Sequence, residues 1–178
     1  MSGRKLLQTK RAFTLAELVV VMAVMAIMIS MVVSFTLICN AWSKWGTNRY
    51  KLTSTERLCS TFFRKFVSLY DAEDYYFETT EDNGVLTAVS VSDPTERYAF
   101  YYHVNGEELE FNVKGGEDGY CPVQYVRSVH FSVRTNAKNQ QLIMMRVSYA
   151  MPNTSVGLNE QYGNYDILMC TRGTGAKP

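Results

Sequence analysis

One carboxylate stands at the mouth of the longest apolar stretch of this chain. Residues 18–29 are all apolar, and Ser30, Ser34 and Thr36 are the only weak interruptions up to Ile38, yet Glu17 opens the run. A carboxylate in a hydrocarbon layer is costly and needs a partner. No Lys, Arg or His occurs between residues 13 and 44. Either a positive group arrives from outside the segment, or Glu17 sits near lipid headgroups, within a turn or two of the basic residues before it. The chemistry within reach is charge pairing.

Other reactive side chains are sparse. His103 and His130 are the only histidines, and no nucleophile elbow, phosphate-cradling glycine loop or His-Glu-x-x-His motif accompanies them. Neither catalysis nor a cofactor is expected. Asp71, Glu73, Asp74, Glu78, Glu81 and Asp82 lack the alternating oxygen-ligand order and turn glycine of a calcium loop, so they read as a solvated acidic connection and no metal is expected. Arg127, Arg134, Lys138 and Arg146 gather around one predicted hairpin. On an outer face, Arg134, Lys138 and Arg146 could contact nucleic-acid phosphates with strong salt dependence. The plainer reading is a charged sheet surface, because no aromatic residues interleave there to stack bases.

The elements that must carry these groups follow from periodicity. A bilayer core of about 30 Å needs roughly 20 apolar residues in a helix, so the run from Leu18 can span a membrane. It is too long for the core of a Sec-type signal peptide, roughly 7 to 15 residues. Arg4, Lys5, Lys10 and Arg11 precede it with no acidic residue among them, which predicts a cytoplasmic amino end and an outer domain after about residue 40. Trp42 and Trp45 fall just past the run, where indoles favour the interface, and Gly46 is the weakest point of the continuing helix. Leu52, Thr55, Cys59, Phe62, Phe66 and Leu69 then alternate at spacings of three and four, one apolar face as far as Tyr70.

Beyond Tyr70 the pattern changes to strands, expected over 75–80, 85–91, 97–104, 107–113, 126–134, 141–150 and 165–171. Asn83-Gly84 and Asn105-Gly106 mark two hairpins, and 114–119 is predicted as a loop. Val129, Phe131 and Val133 share one face, as do Ile143, Met145, Val147 and Tyr149. Those faces should cover the helix stripe. The expected class is α+β: a long amino-terminal helix, its first half membrane-spanning, packed on an antiparallel domain of about seven strands. The 178 residues divide into a leader 1–12, a membrane half 13–39, an exposed helix half 40–70, a β domain 71–172 and a tail 173–178. The formal net charge is +1; without the four leader cations 14 basic residues face 17 acidic ones, about −3, which gives no general attraction to nucleic acid or anionic lipid.

The stretch formed by the basic leader, Ala12-Phe13, Thr14-Leu15-Ala16-Glu17-Leu18 and the apolar run resembles the start of a type IV prepilin or pseudopilin. The resemblance covers roughly the first thirty residues. It implies a structural subunit rather than an enzyme, cut by a prepilin peptidase between Ala12 and Phe13 and N-methylated at Phe13. It also implies that Glu17 pairs with the new α-amino group of a neighbouring subunit in the filament. The expected partners are that peptidase, sister pilin or pseudopilin subunits, and the cell membrane, crossed once with the ectodomain outside until the subunit enters a pilus or pseudopilus. Ala12 stands where the family usually has glycine, and the proline of many major pilins is absent from the anchor, the first proline being Pro94. Alanine is also small enough for a peptidase pocket, and the missing proline fits a minor subunit, most like the J type of type II secretion or the F type of competence pili. The alternative is a permanently anchored extracellular binding module for DNA, a surface or a secreted partner.

Four cysteines in an outer domain invite a disulfide. Cys39 and Cys59 lie about 30 Å apart on one helix and cannot pair. Cys121 with Cys170 is the better candidate, a tie between the last strand and the loop after Gly119 such as many pilins have. Cys59 reads as a buried thiol, and its pairing with either of those two stays open.

Overall fold

A computed structural model describes residues 14–71, 74–137, 140–151 and 161–172. Among the described residues a single helix, α1 (Leu15–Tyr70), is followed by eight strands: β1 (Tyr75–Thr79), β2 (Val85–Ser90), β3 (Arg97–His103), β4 (Glu108–Phe111), β5 (Gly119–Pro122), β6 (Val126–Thr135), β7 (Gln141–Met151) and β8 (Gln161–Cys170). The class is α+β, as expected. All neighbours pair antiparallel, in a five-stranded sheet of order β1-β2-β3-β4-β5 and a three-stranded sheet of order β6-β7-β8. The chain divides into two compact units, residues 1–43 and 44–178.

Two differences from the expected strands have local causes. β5 lies where a loop was predicted to end, and only four residues, closed by Pro122, make it. Its Gly119 is opposite Phe111, and a Cβ there would meet the phenyl ring at 2.6 Å. Glycine is what lets that ring lie flat across the strand. β8 begins at Gln161, four residues earlier than predicted, and runs opposite β7 as far as Met151. In the two predicted hairpins the left-handed residue is Asn83 (φ 52) and Glu107 (φ 51), not the glycine beside each.

In the outer unit, α1 buries Thr55, Cys59, Phe63, Phe66, Val67 and Tyr70. The predicted stripe is right at Thr55, Cys59 and Phe66, while Phe62 packs at the core's margin and Leu69 is exposed. Alternating threes and fours repeat every 3.5 residues, whereas a straight helix repeats every 3.6, so by the last turn the buried face has moved on to Tyr70. The stripe meets an aromatic core: Phe66 lies 5.3 Å from Phe100 and 5.6 Å from Phe111, and Phe63 lies 6.4 Å from Phe131. Tyr70 stacks on Tyr98 at 4.8 Å, and Tyr75 and Tyr98 both donate to Glu96, which also pairs with Lys114.

The two sheets share that core and are tied by side chains; Tyr102 Oη–H on β3 donates to Val126 C=O on β6 at 2.6 Å. The buried Gln141 accepts from Phe77 N–H at 2.7 Å and donates from Nε2 to Phe77 C=O at 2.9 Å. A side-chain amide thus completes, for one residue, the ladder on the free side of β1. Phe131 N–H donates to Asn83 C=O at 2.7 Å and adds a backbone tie.

Candidate functional site

The amino end of α1 is built from Thr14 and Glu17. Thr14 N–H and its hydroxyl both donate to Glu17 Oε2, at 2.9 and 3.1 Å, and Glu17 N–H donates back to Thr14 Oγ1 at 3.3 Å. This is a reciprocal capping box, which satisfies donors that a helix start leaves free. The Thr-x-x-Glu spacing carries that signal in the sequence, although charge alone drew attention to Glu17. Ala12 and Phe13, the expected cleavage and methylation positions, lie outside the described residues.

Residues 14–40 are all exposed within this chain, although nearly all those from Leu18 onward are apolar. Two of the few hydroxyls are satisfied inside the helix: Ser34 donates to Ser30 C=O and Thr36 to Val32 C=O, both at 2.8 Å. A surface of this kind suits hydrocarbon or apolar neighbours, since the helix bonds its own backbone groups along the run. By length and composition α1 can cross a membrane.

The remaining candidates are scattered. Arg146 binds Asp166 through both Nε and Nη2 at 2.8 Å, across β7 and β8, so its charge is already engaged. Arg134 borders a groove of about 270 Å³ lined also by Ser132, Leu142, Met144 and Leu168; Lys138 lies outside the described residues. Asp71 accepts from Arg172 N–H at 2.8 Å and Glu78 pairs with Arg97 at 3.1 Å, and Glu73 lies outside the described residues. Among the described residues no group of three His, Cys, Asp or Glu could hold a metal ion. His103 pairs with Glu110 at 2.9 Å, part of a surface contact with Tyr101, whose phenol is pushed up to about 12 by burial and by that carboxylate.

All four cysteines are free thiols. The expected link between Cys121 and Cys170 is not formed, and the register gives the reason. Cys121, opposite Leu109 in the five-stranded sheet, faces the core, whereas Cys170, opposite Leu142 in the three-stranded sheet, faces solvent. Cys59 is fully buried, and burial pushes its thiol up to about 11.

Residues 7–33 match the family model described as the prokaryotic N-terminal methylation motif. No curated protein and no solved structure matches the chain.

Proposed function

We propose that this chain is a minor pilin or pseudopilin, held in the membrane as a prepilin and then built into a filament. The methylation motif supports a type IV pilin-like subunit that is processed at its amino end, which implies a prepilin peptidase and assembly with other pilins in the membrane. The motif belongs to structural subunits. The finer steps are the proposal: cleavage between Ala12 and Phe13, methylation of Phe13, an outer unit beyond the membrane, and neutralisation of Glu17 by the α-amino group of a neighbour.

One observation carries it. The only charged side chain in the exposed apolar half of α1 is Glu17, in the first turn of the helix and four residues from Phe13, where a new amine would be created. In the single chain its carboxylate is occupied by Thr14; those are neutral donors, which a cationic amine outcompetes in a low-dielectric layer.

Intact mass and amino-terminal sequencing of the protein from its host's membranes test the reading. The expected product begins at Phe13 and is heavier by one methyl group. A chain retaining Arg4 would mean a permanent anchor and would turn attention to what the outer unit binds. Glu17→Ala should leave processing intact and abolish filament incorporation; incorporation at the normal level would remove the charge pairing from the proposal.

A further inference from the structure

α1 carries a short cationic neck just past its apolar run. Between Glu17 and Glu56 the sequence holds three cations, Lys44, Arg49 and Lys51, and no acidic residue. Residues 56–178 hold 11 basic and 16 acidic residues, about −5. The charge of the neck is opposite to that of everything after it. Cations beyond a spanning segment also work against those of the leader in setting its orientation, so the positive-inside bias does not account for them.

Their placement favours one kind of partner. All three are exposed, and among the described residues none forms an ion pair. The Arg49 guanidinium lies 5.4 Å from the centroid of the Trp45 ring, a stacking contact that engages its face and not its N–H donors. Lys44 and Lys51 are seven residues apart and share one side of the helix, whereas Arg49 is turned by about 140° from Lys44. A docked protein covers one side of a helix, but lipid headgroups surround it. Lys44 follows Ile38 by six residues, roughly 9 Å at the helical rise, and Lys51 by roughly 20 Å. Those distances leave long side chains within reach or within about a Debye length of 10 Å from the phosphate layer. Trp42, Trp45 and Tyr50, all more than half exposed, are the aromatic types that sit at that level.

We infer that residues 44–51 bind the phosphates of anionic phospholipids in the adjoining leaflet, so that α1 selects charged lipid where it leaves the bilayer. An anionic leaflet attracts this neck and repels the acidic chain that follows it. The inference rests on the membrane-spanning reading of α1 and not on how the amino end is processed.

The chain's two tryptophans, Trp42 and Trp45, flank Lys44 and report on the lipid beside it. The test is the tryptophan emission of the full-length protein in mixed vesicles of phosphatidylcholine and phosphatidylglycerol, with one lipid or the other brominated in its upper acyl chains to quench neighbouring indoles. The wild type should prefer phosphatidylglycerol about fivefold at low salt, the measure of one cation near a charged surface. That preference should vanish at about 1 M salt and in Lys44→Gln/Arg49→Gln/Lys51→Gln. Arg57→Gln/Arg64→Gln, which removes exposed charges farther along α1, should keep it. Equal quenching by the two brominated lipids in the wild type overturns the inference and leaves the membrane span standing; quenching by neither overturns both. A preference that survives in the triple variant, or that the Arg57/Arg64 variant loses as fully, also overturns it. Emission that responds to duplex DNA added to phosphatidylcholine vesicles, with no preference between lipids, would give these cations to nucleic acid instead.

Discussion

The two halves of α1 share one backbone geometry and an apolar composition, yet their side chains end in opposite places. In the first half Val19, Met25, Ile29 and Phe35 are each more than half exposed, whereas in the second Cys59, Phe63 and Phe66 are wholly buried. The difference is not hydrophobicity, since the exposed half is the more apolar. It is the distribution: residues 18–29 are apolar on every side of the helix, while residues 52–70 place Arg57, Arg64 and Lys65 opposite a narrow stripe. A helix apolar all round calls for an apolar surrounding, and one with a stripe calls for a sheet. One unbroken helix carries both patterns.

The comparison can be broken most sharply from the outer half. Phe66→Ala removes a ring in contact with Tyr70, Phe77, Phe100 and Phe111, and should cost about 3–5 kcal/mol, measured by denaturant unfolding of the full chain followed by near-UV signal. Met28→Arg, in the other half, should leave that unfolding curve where it is while disfavouring membrane insertion by about 2.5–3.5 kcal/mol, read as the fraction recovered in the membrane pellet. If Met28→Arg shifted the unfolding midpoint as Phe66→Ala does, the two halves would not be energetically separate.

Smaller effects sharpen the picture of the outer unit. Gln141→Ala leaves both Phe77 N–H and Phe77 C=O without their partner, a loss of about 2–3 kcal/mol in the same assay. Faster amide exchange should appear at Phe77 before it appears in β3. The tyrosine groups give a pH dependence. Tyr98 is pushed up to about 12 by burial and by Glu96, and Tyr101 likewise by burial and Glu110, from an ordinary 10.0. Groups that hold their protons more tightly when folded stabilise the fold fully below the unfolded value, and that contribution is lost as pH rises through the folded one. The melting temperature should therefore fall between about pH 10 and pH 12, and Tyr98→Phe should make the fall shallower.

Much of this architecture was legible in the residues. The extent of α1 followed from its apolar run, its 3.6-residue pattern and the acidic break after Tyr70, and two hairpins followed from Asn83-Gly84 and Asn105-Gly106. β5 was not legible, because four residues that begin with Gly119 and end with Pro122 carry no alternation; its pairing is decided by how Phe111 packs. Gln141 was equally silent, since a polar residue at the start of a strand looks solvent-facing until another sheet arrives beside it. At the candidate site, Glu17 stood out by charge, whereas the part of Thr14 is written in the Thr-x-x-Glu spacing. The expected Cys121–Cys170 tie depended on which way each strand faces across two sheets, and neither composition nor spacing contains that.

The amide of Gln141 has a consequence for how this outer unit can vary. Where two sheets are one continuous ladder, an inserted residue shifts every pairing downstream of it. Here the ladders are separate and share a core, the side chains of Gln141 and Tyr102, and one bond between a turn and a strand. A lengthened hairpin in the five-stranded sheet need not disturb the register of β6, β7 and β8. Variation in one layer can accumulate while the other keeps its shape, provided that Gln141 and Tyr102 are retained.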